Sequence, residues 1–429
     1  MMQSREIVKT DLEVFSEKLD NGLKVYIVPK SDSNNVYVTF TTNYGAYQSE
    51  FIPYDNDEMI KVPEGVAHFL EHKLFATEDG TDPFTFFGKS GASSNASTST
   101  YKTTYLFEGM NDFERNLNYL LDFVQEPYFT DENVEEEKGI IIQELKMYQD
   151  NPFRMGYEKS LKNTFKTSPI RVPVGGSVSS VSAITKEDLY TCYNTFYHPS
   201  NMILVITGSV NPEKTLEIVK NNQEHKKFNA EKEIITKKYD EPDQVFKKKE
   251  ILKMNVTMPK VFINIKVNAT NDYDLNVSDL MDYYGIYIES TFGATSIFYE
   301  RMLDEHIVTD PIDFDFINAK THIDIMLIAE VSDPDKFIKE ALDELNKRVI
   351  TKEDFERKKK TMVASLIFMS DNIYRINSMI VNNNILLGEV DYDSYDKIMS
   401  LSYDIENDII NSADFKNYAT VIIEPKNID

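Results

Sequence analysis

The chain has 429 residues, enough for two domains of ordinary size, and 41% of them are hydrophobic. Its formal net charge of −25 argues against binding to nucleic-acid phosphates, and no apolar run approaches the ~20 residues that a membrane-spanning helix requires. The N-terminal residues lack the apolar stretch of a signal peptide, and the single cysteine excludes an internal disulfide. We therefore expect a folded cytoplasmic protein that does not bind nucleic acid and does not span a membrane.

The first part of the chain predicts an alternation of strands and helices. Apolar residues alternate over residues 22–30 and 36–45, which is typical of strands, and Pro63 suits the first turn of a helix. The Ser/Thr-rich stretch 91–107 predicts strands at a sheet edge. A capping box at Thr185 and Asp188 begins one of the later helices. The later elements are helices at 111–127, 130–150, 184–197 and 211–223 and a buried strand at 202–210.

A charged segment and an internal repeat divide the chain. Residues 226–250 are dominated by charge and predict a linker between a first domain, 1–225, and a second domain, 251–429. The segment that begins at Thr130 aligns with the segment that begins at Thr351, at an offset of 351 − 130 = 221 residues. This alignment favours a duplicated α+β domain.

Two of the six histidines lie within five residues, in the sequence His68-Phe69-Leu70-Glu71-His72. Positions i and i+4 share a face of a helix, so both imidazoles can reach one metal ion. Catalytic zinc takes three protein ligands and a water molecule, and a nearby carboxylate such as Glu71 can accept the proton of that water. The order H-x-x-E-H is that of an inverzincin. The alternative is that the two histidines lie on the exposed face of an amphipathic helix and bind no metal.

The acidic helix at 130–150 offers candidates for the third ligand. Glu137 and Glu144 are seven residues apart and therefore share a face, ~10 Å apart along the helix axis. Glu144 has the apolar neighbours Ile141, Ile142 and Leu145, and a carboxylate in such surroundings is costly unless it is paired or binds metal. The alternative is that Glu144 lies on the polar stripe of its helix.

The two segments GVAHFLEHKLF and VEEEKGIIIQELKMYQDNP together resemble the pitrilysin/insulinase family of zinc peptidases. The spacing of 144 − 72 = 72 residues also fits that family. The resemblance implies that His68, His72 and Glu144 bind one Zn2+ ion. It further implies that Glu71 is the catalytic base and that Glu137 is the family's supporting acidic residue.

The resemblance also implies a fold and a substrate class. The fold is α+β, with two homologous α/β-sandwich domains of the mitochondrial-processing-peptidase/LuxS-like metallohydrolase type that form half of a clamshell. The stretch containing Gly91, Asn95, Ala96 and Thr98 resembles the family's substrate-binding strand. The substrates would be short unfolded peptides enclosed in a chamber. The second domain would be a degenerate copy without a metal site, because Lys358 aligns with the position of Glu137.

One departure from the family bears on a partner. Active members carry an Arg and a Tyr in a C-terminal repeat, and alignment on Ser296 and Phe298 puts Leu303 and Thr309 at those positions. The departure implies a heterodimer in which a related pitrilysin-family subunit supplies the pair. A homodimer is one alternative, and an alignment shifted by two residues, which would restore Arg301, is another.

Two other functions remain open at this point. S-ribosylhomocysteine lyases share the H-x-x-E-H motif but use a cysteine as third ligand. The only cysteine here, Cys192, lies in a stripe with Leu189, Tyr193 and Phe196 that is typical of a core. The other alternative is a non-catalytic structural subunit of a peptidase complex, which would hold no stoichiometric zinc.

Overall fold

The computed structural model describes residues 2–426, which form two compact units. The first unit contains the residues up to Leu145 together with Pro173–Lys238 and Ser365–Asp396. The second contains Lys146–Val172, Tyr239–Ala364 and the residues from Lys397 onward. Each unit is therefore assembled from segments that are separate in sequence. The domain limits at residues 225 and 251 stay a prediction.

A mixed sheet forms the centre of the first unit. Its strands, within residues 2–426, are β1 (Gln3–Glu6), β2 (Glu13–Lys18), β3 (Lys24–Pro29), β4 (Val36–Thr42), β7 (Ser93–Thr98), β8 (Thr103–Gly109) and β9 (Met202–Gly208), and a separate hairpin pairs β5 (Glu50–Phe51) with β6 (Ile60–Lys61). The sheet order is β1-β2-β3-β9-β4-β8-β7, with β3 and β9 parallel and the other pairs antiparallel. All residues of β9 are buried, which confirms the prediction of a buried strand.

The second unit has a smaller sheet with the same pairing pattern. Its strands among the described residues are β10 (Lys249–Met254), β11 (Lys260–Asn268), β12 (Asp313–Asn318), β13 (His322–Glu330) and β14 (Tyr418–Pro425). The order β10-β14-β11-β13-β12 matches β3-β9-β4-β8-β7, with one parallel pair followed by antiparallel pairs in both sheets. The fold is thus α+β with two homologous sandwich units.

Helices cover both sheets. In chain order they are α1 (Val66–Lys73), α2 (Pro83–Gly88), α3 (Phe113–Gln125), α4 (Asp131–Gln149), α5 (Pro152–Thr164), α6 (Val178–Ala183), α7 (Lys186–Phe196), α8 (Pro212–Glu224), α9 (Val277–Phe292), α10 (Ile297–Asp304), α11 (Pro334–Leu345), α12 (Lys352–Met369), α13 (Ile373–Leu387), α14 (Ser394–Ser400) and α15 (Tyr403–Ser412). None of these helices combines the length and the apolar character that crossing a bilayer requires.

The helix positions repeat with the offset found in the sequence. The starts of α3 and α11, α4 and α12, and α5 and α13 differ by 334 − 113, 352 − 131 and 373 − 152 residues, which is 221 in each case. Although α5 follows α4, it packs on β11 and β14 of the second unit, and α13 packs on β9 and β4 of the first. The internal repeat is therefore present in the structure.

The helix with the histidine pair begins later than predicted. It starts at Val66 rather than at Pro63, because Gly65 precedes it with a left-handed backbone (φ 94°). A Cβ atom at Gly65 would lie 2.6 Å from the carbonyl oxygen of Gly175, so only glycine fits this close approach. The capping box of Thr185 and Asp188 at the start of α7 is confirmed.

The predicted linker has little regular structure but is anchored. Residues 226–248 contain neither a helix nor a strand of the described chain, apart from an isolated bridge at Thr236. Glu241 is nevertheless buried and forms an ion pair of 2.6 Å with Lys266 Nζ. Its carboxylate also accepts hydrogen bonds from the amides of Lys166, Thr167 and Ser168. A charged residue thus fixes the later part of this segment, from Tyr239 onward, within the second unit.

Candidate metal centre and active site

Helix α1 presents the motif on its solvent-facing side. Val66, Phe69 and Leu70 are almost completely buried and face the core of the first unit. His68 and His72 are half-buried on the other side, with ring centroids 4.7 Å apart. The i, i+4 spacing therefore brings both imidazoles to one place, as the sequence predicts.

Helix α4 brings a carboxylate to the two imidazoles. Its buried residues Val134, Ile141 and Leu145 pack into the same core, which turns Glu144 towards α1. Glu144 Oε2 lies 3.5 Å from His72 Nε2 and 3.8 Å from His68 Nε2. The prediction that Glu144 lies near the histidines therefore agrees with this geometry.

The donor atoms of these three side chains fit a zinc ion. One ligand atom from each lies within 4.8 Å of the others, and no second group of three such residues is found within residues 2–426. Tetrahedral ligands at the usual zinc distances of ~2.0–2.1 Å are separated by about 3.4 Å, close to the 3.5 Å and 3.8 Å between Glu144 and the two histidines. Two imidazoles and one carboxylate are also a donor set that catalytic zinc sites use.

Glu137 supports His72 from a position two turns before Glu144 on α4. Its Oε1 lies 3.1 Å from His72 Nδ1, and its Oε2 lies 3.6 Å from Lys73 Nζ. Burial raises the pKa of Glu137, but the hydrogen bond with His72 and the charge of Lys73 outweigh it, and the pKa lies below its usual value. An ionised Glu137 accepts a hydrogen bond from His72 when Nδ1 carries the proton, and in that tautomer the Nε2 lone pair can bind a metal ion.

Glu71 lies on α1 beside the strand β7. Thr98 Oγ1 donates a hydrogen bond of 2.6 Å to Glu71 Oε2. Burial raises the pKa of Glu71, although the Thr98 hydrogen bond and the nearby His72 act in the opposite direction. The hydrogen bond thus orients the carboxylate of Glu71, which directly precedes His72 in the sequence.

Strand β7 forms an edge of the first sheet, because β8 is its only partner among the described strands. Ser99 N donates a hydrogen bond to Lys102 O, so these two residues form a hydrogen-bonded pair of the antiparallel ladder. Hydrogen-bonded and non-hydrogen-bonded pairs alternate along such a ladder, which makes Ala96 and Tyr105 a non-hydrogen-bonded pair. The amide of Ala96 therefore points away from β8. That amide donates to the side-chain Oδ1 of Asn95 at 2.9 Å. The side chain of Asn95 therefore occupies an amide at the open edge of β7. Thr98, which hydrogen-bonds Glu71, lies on the same strand.

The second unit has no matching metal site among its described residues. At the position aligned with Glu137, Lys358 Nζ forms an ion pair of 2.9 Å with Glu289 Oε1. Leu303 and Thr309 are exposed, whereas Arg301 contacts Glu340 at 2.7 Å and Glu344 at 3.5 Å. Arg301 is therefore engaged in a carboxylate cluster of its own unit.

Two residues near the site, Lys73 and Gly175, were not among the predicted site residues. Lys73 occupies the i+7 position after Val66, on the apolar face of α1, and the structure buries it against Glu137. Gly175 contacts His68 without any sequence motif that reveals this. Cys192 is fully buried and is not part of the group formed by His68, His72 and Glu144, and burial raises the pKa of its thiol to about 12, which disfavours a metal-binding thiolate.

Comparison with known proteins identifies the family. Residues 56–176 match Insulinase (Peptidase family M16), and residues 183–362 match the Peptidase M16 inactive domain. The uncharacterized zinc protease YmfH of Bacillus subtilis (strain 168) is 43% identical over 319 residues, which are 74% of each chain. The chain belongs to peptidase family M16. This confirms the resemblance to the pitrilysin/insulinase family.

Solved structures of M16-like proteins agree with this fold. A putative M16-like peptidase from Alicyclobacillus acidocaldarius superposes with a TM-score of 0.92 at 29% identity, covering 98% of this chain and all of that one. The periplasmic protease PqqL from Escherichia coli reaches 0.73 at 16% identity, and the match covers 98% of this chain but 48% of PqqL. Because M16 relatives carry the name zinc protease, a peptidase-type function and zinc fit this chain.

Proposed function

We propose that the chain is a zinc-dependent endopeptidase in which His68, His72 and Glu144 hold the metal. The observation that carries this proposal is the convergence of three donor atoms from α1 and α4 within 4.8 Å. When bound, zinc supplies a Lewis acid that activates water and polarises a peptide carbonyl. The remaining functions belong to side chains that surround this centre.

Glu71 moves the proton in this proposal. Its carboxylate accepts a proton from the attacking water and returns it to the amine that leaves. The hydrogen bond from Thr98 holds one oxygen of Glu71 at 2.6 Å and keeps the carboxylate oriented for both proton transfers. Glu137 and Lys73 do not touch the substrate in this proposal. Glu137 orients His72, and Lys73 is the counter-ion of Glu137.

The β7 edge is the proposed substrate-binding strand, with Asn95, Ala96 and Thr98 as its binding residues. An extended peptide would pair with the outward amide of Ala96 and displace the side chain of Asn95 that now caps it. Such main-chain pairing requires a peptide whose backbone is free, which favours short unfolded substrates over folded proteins. A peptide complex without main-chain bonds to Ala96 would refute this part of the proposal.

A related M16 subunit is the proposed partner. Leu303 and Thr309 offer no charged or phenolic donor for the developing negative charge, and the loss of one such donor typically costs about 10²–10³ in rate. The match to PqqL, which covers 48% of that chain, supports an assembly of two chains of this size. A homodimer is the alternative, but both of its subunits would lack the Arg/Tyr pair. We expect the isolated chain to bind zinc and cleave slowly, and a partner with an Arg/Tyr pair to accelerate it.

The central experiment measures zinc content and peptide cleavage together. A pool of unfolded peptides is digested with the chain, with and without a related subunit that co-purifies from the native source, and the products are identified by mass spectrometry. His72→Ala should lose zinc, whereas Glu71→Gln should keep zinc and lose cleavage. Wild-type zinc content in His72→Ala would refute the metal site, and full cleavage by Glu71→Gln would refute the assigned base.

A further inference from the structure

The turn before α6 packs against the metal centre through a residue without a side chain. A Cβ atom on Gly175 would lie 2.9 Å from Leu145 Cδ2 and 3.6 Å from His68 Nδ1. Leu145 directly follows Glu144 on α4, and His68 lies on α1. Gly175 therefore lies close to His68 and to the neighbour of Glu144, and these two proposed ligands come from different helices.

The same turn also contacts the start of α1. The carbonyl oxygen of Gly175 would lie 2.6 Å from a Cβ atom on Gly65, the residue that precedes the helix. Contacts at positions 65 and 68 are almost one helical turn apart. Together they fix both the position of α1 and its rotation about its axis, and that rotation determines where the imidazole of His68 points.

We propose that Gly175 is a positioning residue of the metal centre, whose missing side chain lets the turn pack flat against His68 and Leu145. This proposal rests on the proposed zinc function. A methyl group at Gly175 would lie 2.9 Å from Leu145 Cδ2, which is too short, so the Leu145 side chain, the turn or α1 has to shift. A shift of the turn or of α1 would move His68 relative to Glu144, whereas rotation of Leu145 alone would change only the packing beside Glu144. Changes in the outer layer of a metal site typically cost 10–100-fold in metal affinity.

The experiment compares Gly175→Ala with Gly139→Ala. Gly139 lies on α4, and a Cβ atom there would meet nothing within 4 Å, so it is a matched control. For each variant, the zinc Kd is measured by chelator competition, the visible spectrum of the Co2+-loaded protein reports ligand geometry, and the Tm of the metal-free protein reports packing. We expect a zinc Kd raised about 10–100-fold and an altered Co2+ spectrum in Gly175→Ala only.

A second variant keeps the proposal testable if Gly175→Ala does not fold. Leu145→Val removes the Cδ2 atom that the new methyl group would meet, so the double variant should fold and recover part of the zinc affinity. A Gly175→Ala protein with wild-type zinc Kd and Co2+ spectrum, even at a lower Tm, would overturn the positioning role alone. If Gly175→Ala folds, a double variant with a zinc Kd no lower than that of Gly175→Ala would also overturn it. If Gly175→Ala does not fold, a double variant with the same zinc Kd as Leu145→Val would overturn it. Wild-type protein that binds no zinc would instead overturn the proposed function.

Discussion

Replacing Glu137 with glutamine tests how strongly the support of His72 contributes to the metal centre. In the structure, one carboxylate oxygen lies 3.1 Å from His72 Nδ1, and the other lies 3.6 Å from Lys73 Nζ. Glutamine keeps the size of the side chain and removes its charge. The imidazole then has a neutral hydrogen-bond partner, and the buried ammonium of Lys73 loses its counter-ion.

The two consequences have separate magnitudes. Loss of an orienting carboxylate on a ligating histidine typically weakens metal binding 10–100-fold, which corresponds to about 1.4–2.7 kcal/mol. Lys73 is buried, and leaving a buried polar group without its partner costs about 1–3 kcal/mol of folding free energy. Glu137→Gln should therefore bind zinc more weakly and also unfold more easily as the metal-free protein.

The assay is a zinc titration against a chelator at pH 7.5, followed by urea unfolding of the metal-free protein. Glu136→Gln is the control, because Glu136 is exposed on the same helix and the substitution changes the net charge equally. The control should match the wild type in both measurements. Zinc affinity of Glu137→Gln within twofold of the wild-type value would refute the claim that Glu137 orients His72.

Three further predictions concern other side chains. Thr98→Val should slow peptide cleavage roughly 10-fold at unchanged zinc content, because the donor to Glu71 is lost, and an unchanged rate would contradict this. Arg301→Ala should leave cleavage by the assembled enzyme within twofold, since Arg301 already contacts Glu340, and complete inactivation would assign it the family's arginine role. Burial raises the pKa of Glu406 to about 9, so its stabilising contribution is present below pH ~4.5 and lost as the pH rises towards 9. Glu406→Gln should flatten the decline of unfolding free energy over that window, and a decline identical to that of the wild type would refute the assignment.

The sequence alone determined the elements whose signals are local. His68 and His72 share a helix face because of the period of the α-helix, and this holds wherever the helix packs. The capping box at Thr185 depends on residues three positions apart, and the buried strand β9 depends on an uninterrupted apolar run. The sequence also predicted the offset of the internal repeat, because the segments that form α4 and α12 have similar residues at the same spacing.

Helix limits and segment exchange depended on contacts between distant residues. Pro63 suits a helix start, yet α1 begins at Val66, because the close approach of Gly175 to Gly65 sets where the turn ends. Likewise, nothing local indicates that α5 packs with the second unit and α13 with the first. A helix shows its apolar face in its sequence, but the sheet that covers this face is chosen by the topology of the whole chain.

The same division applies to the candidate site. The sequence identified Glu144 as a candidate because of its apolar neighbours and the spacing of a known family, and a place on the polar stripe of α4 was the alternative. Tertiary packing decided between them, since burial of Ile141 and Leu145 turns Glu144 to within 3.5 Å of His72 Nε2. Lys73 and Gly175 took their places for the same physical reason. A sequence shows which residues can bind a metal or transfer a proton. The distances between their side chains are set only when the helices and strands that carry them pack into one core.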